Sequence, residues 1–196
     1  RFFMGRIFYV SSMHGDDTNS GQTPEDAFRS LRKINQLEIQ PGDQIFLERG
    51  SVFIGEYLHL YAGGTKEVPV VVDAYGEGAL PRIEANGNGI WYQNYGGHLD
   101  NVVHIWKGYL SSAVLLYDAE YISIRNLEIT NNPCIKNERL NQADRMNRTG
   151  VSVIAQNHGT LHQIELDHLY IHDVEGNIYD KHLNNGGIYM SVSRPD

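Results

Sequence analysis

Short runs of alternating apolar and polar residues recur along this chain. Ile122-Ser-Ile124 matches Ile164-Glu-Leu166, and in the same alignment Leu127 falls on Leu169, Ile129 on Ile171 and Asn131 on Asp173. Alternation of this kind is what a half-buried strand requires, because successive side chains leave opposite faces. A second register repeats as well: Ala113-Val-Leu, Gly150-Val-Ser-Val and Gly187-Ile-Tyr-Met each open a strand after small or polar residues. One such coil cannot bury its inward side chains alone, so coils stack and share a core. The pattern therefore predicts an all-β chain, a right-handed parallel β-helix. The match of Asn131 with Asp173 further predicts that both side chains leave the same edge and face outward.

The opening residues add a cap. Residues 6–10 read as a strand, and Gly15, Asp16, Asp17, Asn19, Ser20 and Gly21 supply turn chemistry behind it. Thr23 followed by Pro24, Glu25 and Asp26 is a helix start. The helix is expected to run to about Leu37, with Ala27, Phe28, Leu31 and Ile34 on one face. It would cover an end of the solenoid where apolar side chains and strand edges otherwise meet water. Pro41-Gly42-Asp43 and Gly50-Ser51 then turn the chain into further strands. Residues 1–60 read as the cap and first strands, and 61–196 as stacked coils of one domain. The chain opens at Arg1 as if already trimmed, and its last strand begins a coil with no capping element behind it. The expectation is that further coils, or a partner chain, complete the solenoid.

Composition narrows the partners. A net charge of −8 argues against nucleic acid, and ordinary hydrophobic content argues against a membrane span. Abundant Tyr, Asn, Gln and His suit a polar, neutral, flat-faced ligand such as a sugar, and suit ordinary solenoid surfaces equally well. Residues 90–110 hold both tryptophans. Trp106 is the candidate for a groove in which aromatic faces pack on pyranose rings, whereas Trp91 suits a core position better. Residues 132–149 form a polar insertion between repeats, with Lys136, Arg139, Asp144, Arg145 and Arg148; long loops on a rigid scaffold tend to carry function. Cys134 is the single cysteine, so no disulfide framework exists. His158, His162 and His168 fall on strand and loop positions that read as solvent-facing rather than as a metal site.

The richest chemistry lies in residues 172–187. Asp173 closes one strand and Asp180 lies in the turn before the next. Two carboxyl groups flanking a sugar bond are what glycoside hydrolysis needs: one protonates the leaving oxygen, the other attacks or activates water. Acidic residues are common in turns, but His172, Asn177, His182 and Asn185 cluster with this pair. With Arg145 and Trp106 they are the candidate sugar contacts. No metal or cofactor is called for. Two other classes remain open. A polysaccharide lyase would need a base such as Lys181 or Arg145 and a Ca²⁺ site, for which Asp16-Asp17 is the candidate. A binding module or adhesin would need no catalytic group.

Two stretches resemble known families. YVSS, then DDTNSGQTPEDAFRSLRKIN and IQPGDQIFLERGSVF, resembles the N-terminal cap of secreted β-helix carbohydrate-active proteins, the pectate-lyase-like solenoids. Residues 68–84 resemble their first coil. HDVEGNIYDKHLNNGGIYM resembles the active-site turn of the lacto-N-biosidases of glycoside hydrolase family 136, which release a disaccharide from milk-type oligosaccharides. That resemblance implies a secreted or cell-surface enzyme with Asp173 as general acid/base and Asp180 as nucleophile of a retaining mechanism. Local charge points the same way. Lys181 and His182 favour an ionised Asp180, and the apolar run 169–174 favours a protonated Asp173.

Overall fold

The computed structural model describes residues 5–94, 107–132, 146–176 and 185–192. In chain order the first strands are β1 (Ile7–Val10), β2 (Gln44–Glu48), β3 (Val52–Ile54), β4 (Leu58–Leu60), β5 (Val70–Tyr75) and β6 (Arg82–Glu84). The later ones are β7 (Ile90–Asn94), β8 (Lys107–Tyr117), β9 (Ile122–Asn131), β10 (Asn147–Ala155), β11 (Ile164–Val174) and β12 (Gly186–Val192). Among the described residues every strand pair is parallel except β7 with β8.

Three parallel ladders result. In the first, Ile45 lies beside Val72, Val72 beside Ile124, and Ile124 beside Leu166. In the second, Phe53 meets Ile83, Ile83 meets Ile129, and Ile129 meets Ile171. In the third, Leu58 meets Val114, Val114 meets Val151, and Val151 meets Ile188. Each ladder stacks apolar side chains on apolar side chains, which is the stacking pattern of a β-solenoid. Ile45, Val72, Ile83, Ile124, Ile129, Val114 and Val151 are fully buried in one cluster. Each such side chain contributes about 1.5–3 kcal/mol by leaving water. The inward positions of β12 are more open, with Ile188 50% and Met190 59% exposed.

β9 and β11 each serve two ladders, because each bends in its middle. Asn126 sits at φ 55° and His168 at φ 50°. Asn is one of the few non-glycine residues that adopt this left-handed conformation readily. The Asn126 side chain also donates to Asp73 Oδ1 at 2.8 Å, which ties the corner to the coil before it. The repeat alignment of residues 122–129 with 164–171 holds pair by pair.

The long capping helix is not what forms. Pro24–Asp26 makes one 3₁₀ turn, capped by Thr23, and α1 spans only Arg32–Asn35. Between them Phe28 bridges to Val10. Its N–H donates to Tyr9 O and its carbonyl accepts from Ser11 N. The Asp17 carboxylate accepts from the N–H groups of Arg29 and Ser30, both at 2.9 Å. Pairing to β1 and to Asp17 thus outcompetes helix propagation, as tertiary contacts commonly do over short segments. The expected apolar set survives this change: Ala27, Phe28, Leu31 and Ile34 are all buried in the core. No helix among the described residues is long and apolar enough to cross a membrane.

Candidate active site

The candidate site lies where β9 and β11 run out, at the corner facing the starts of β8, β10 and β12. Ile171 pairs with Ile129, but the next pairing is Val174 with Asn131. His172 and Asp173 therefore share the space opposite Thr130. This is a β-bulge, with Asp173 at φ 50°. A bulge adds one residue to a strand and re-aims its side chains. Here it places two consecutive side chains where they hydrogen-bond one another: His172 Nδ1 lies 2.7 Å from Asp173 Oδ2.

The bulge corrects the sequence alignment. Asp173 is not level with Asn131, and the two do not leave the same edge. Asn131 is fully buried. Its Oδ1 accepts from Gly87 N at 2.9 Å, and its Nδ2 donates to Thr149 O and Ser111 Oγ, both at 3.0 Å. Asn131 therefore locks the corner between β9, β8 and β10. The Asp173 side chain is 60% exposed and faces outward as expected. It is not desolvated against the apolar run; its partner is His172.

His172 also reaches the coil before it, with Nε2 2.7 Å from Glu128 Oε1. Tyr170 stacks on its ring at 4.3 Å. The hydrogen bond to Glu128, then that to Asp173, holds the His172 imidazolium above its ordinary range. Arg82 lies 4.0 Å beyond Glu128 and 2.7 Å from Glu84. Sequence reading missed Glu128. It is an acid on the outward side of β9, and only the stacking of the coils brings it one coil below the catalytic candidate.

Behind the corner runs a buried hydroxyl network. Ser112 Oγ lies 2.6 Å from Thr149 Oγ1 and donates to Ser152 Oγ at 2.9 Å. Trp91 Nε1 donates to Ser112 Oγ at 2.8 Å, so Trp91 is a core residue with a satisfied N–H, as expected. His59 Nε2 lies 2.8 Å from Ser112 O. Burial pushes His59 down to about 4, so the neutral ring must donate from Nε2 to that carbonyl.

Arg148 joins the two sides of the corner. Its N–H donates to Asn185 Oδ1 at 2.9 Å, and its guanidinium donates to Glu175 O at 3.0 Å. The amide oxygen of Asn185, expected at the sugar, thus holds the start of β10. Trp106, Arg145, Asn177, Asp180, Lys181 and His182 lie outside the described residues. The candidate calcium loop does turn chemistry instead. Asp16 accepts from Thr18 N at 2.8 Å, and Asp17 holds residues 29 and 30. No group of three metal-binding side chains occurs among the described residues. His158 and His162 flank Glu120, at 3.4 and 2.9 Å, and His168 pairs with Asp167; all three histidines are solvent-facing as expected.

No family model matches the chain. It is 40% identical over 215 residues to a lacto-N-biosidase of Bifidobacterium longum subsp. longum; the match covers 97% of this chain and 13% of that protein. The crystal structure of the family 136 lacto-N-biosidase from Eubacterium ramulus superposes with a TM-score of 0.89 at 55% identity, covering 97% of this chain and 31% of the other. Its selenomethionine derivative gives 0.90 at 56%. A rhamnogalacturonan lyase superposes with a TM-score of 0.50 at 13% identity over 78% of this chain, a likeness of fold alone. The chain thus spans less than a third of the length of the lacto-N-biosidases it matches.

Proposed function

We propose that this chain, whose homologues over nearly its whole length are lacto-N-biosidases of glycoside hydrolase family 136, belongs to a glycoside hydrolase that releases a disaccharide from milk-type oligosaccharides. The observation that carries the reading is the 55% identity to a solved lacto-N-biosidase across the coils that bear Asp173. The reading takes the solenoid as a right-handed β-helix of the pectate-lyase-like kind, acting outside the cell or at its surface. Asp173 donates its proton to the glycosidic oxygen as the bond to the anomeric carbon breaks. Asp180 attacks that carbon, and Asp173 then takes a proton from the water that releases the sugar. Exposure of Asp173 at a bulge beside His172 supports its role: the carboxyl is reachable, and a side chain that can carry a proton touches it.

The test is disaccharide release by the full-length protein, followed by proton NMR of the first product formed. The expected result is a free disaccharide with retained anomeric configuration, lost in Asp173→Asn and in Asp180→Asn. An inverted product would remove Asp180 from the nucleophile role. Sugar binding without turnover would replace the hydrolase by a binding module, and an unsaturated product absorbing in the ultraviolet would replace it by a lyase.

A further inference from the structure

The His172 ring is held at both nitrogens by carboxylates, Glu128 at Nε2 and Asp173 at Nδ1, each at 2.7 Å. A proton on Nε2 serves the contact with Glu128, and a second proton on the Nδ1–Oδ2 contact is shared between the ring and Asp173. Glu128 comes from the preceding coil and is mostly covered, with its side chain 19% exposed. Arg82 stands behind it, and Arg82 in turn pairs with Glu84. Charges of alternating sign therefore run across three coils from Arg82 to Asp173. The charged and titratable groups around the ring are Glu128, Arg82 and Glu84 from the earlier coils, and Tyr170 and Asp173 from its own strand.

We infer that Glu128 is a positioning residue for the chemistry at Asp173: through His172 it fixes Asp173 Oδ2 and keeps a proton on the His172–Asp173 pair. This rests on the reading of Asp173 as the acid/base. At neutral pH the pair holds one proton between the two side chains. That proton passes to the glycosidic oxygen as the sugar bond breaks, and water returns it in the second step. Glu128, being negative, keeps the proton on the pair to higher pH. The sign follows. A raised His172 keeps its proton below its folded pKa and loses it as pH rises through that value. Removing the charge of Glu128 must move this loss to lower pH.

The experiment uses the full-length protein with ¹³C-labelled histidine, and an aryl lacto-N-bioside as substrate. Glu128→Gln keeps an acceptor oxygen but no charge. It is expected to lower the NMR titration midpoint of His172, to shift the alkaline limb of kcat against pH in the same direction, and to reduce kcat about tenfold with KM little changed. Glu128→Asp, which keeps the charge, should fall between the two. Equal His172 midpoints in wild type and Glu128→Gln would overturn the inference. So would a shifted midpoint with an unmoved pH profile and kcat. If the wild type shows no turnover, the hydrolase reading fails separately, and the His172 titration alone decides whether Glu128 holds the ring charged.

Discussion

The two faces of β9 and β11 are built from the same strands, yet they obey different rules. Inward, each position repeats an apolar side chain from coil to coil: Val72, Ile124 and Leu166 in one ladder, Ile83, Ile129 and Ile171 in the next. Close packing above and below leaves no room for variation. Outward, the same strands place Arg82 beside Glu128 and Glu128 beside Tyr170, residues alike in nothing but their side of the sheet. Water imposes no volume constraint there, so charge can be arranged for chemistry. The inward face explains why the chain folds, and the outward face bears the residues of the proposed chemistry. The bulge at Asp173 is where strict alternation gives way, and two adjacent residues reach the outside together.

The largest expected effect comes from breaking the inward ladder. Ile129→Ala should lower stability by about 2–5 kcal/mol, the cost of a cavity between two coils that cannot collapse. Glu128→Ala, one residue away, should cost under about 1 kcal/mol, because ion pairs near the surface add little. Chemical denaturation of both variants checks this, and equal losses would erase the distinction between the faces.

Acid should act next, through His59, which sits 5% exposed beneath the hydroxyl network. Its folded pKa of about 4 lies below the ordinary 6.5. The unfolded chain therefore takes up the proton first. Stability on the order of 3 kcal/mol is fully present above pH 6.5 and is lost as pH falls through that window toward 4. His59→Phe should flatten this part of the curve of unfolding free energy against pH; an unchanged slope would mean that another group is responsible.

Ser112→Ala should cost about 1–3 kcal/mol, since it strands the Trp91 N–H in a buried site and leaves the hydroxyls of Thr149 and Ser152 with only each other. A smaller loss would mean that the network re-pairs without it. The smallest effect belongs to the outward pair of Arg125 with Glu165, 2.7 Å apart at the surface. Arg125→Ala should stay within about 0.5 kcal/mol by thermal denaturation. A larger change would mean that the outer face also carries stability.

This division also governs what the sequence could reveal. The register of 122–129 on 164–171 was legible because each inward residue must match its neighbours one coil away. The long helix at residues 24–37 was not legible. Its apolar set suits a helix, but the backbone of Phe28 finds a better partner in β1 and that of Arg29 and Ser30 in Asp17. Alternation from Ile129 does put Asn131 inward, where it is buried. The fate of Asp173 was not readable that way, because a single extra residue in β11 shifts the pairing after Ile171 and turns Asp173 out. Asp173 and His172 stood out by residue type and clustering. Glu128 did not, because its importance comes from lying one coil below them, a closeness that only stacking creates.

The most direct measurement is the turnover of Asp173→Asn in the full-length protein, set beside its melting temperature. Asp173 is exposed at the end of β11 and fills no part of the core. The account predicts that kcat falls by about 10² or more while the melting temperature stays near that of the wild type. Wild-type turnover in this variant, with the fold intact, would contradict the assignment of chemistry to the outward face at the bulge.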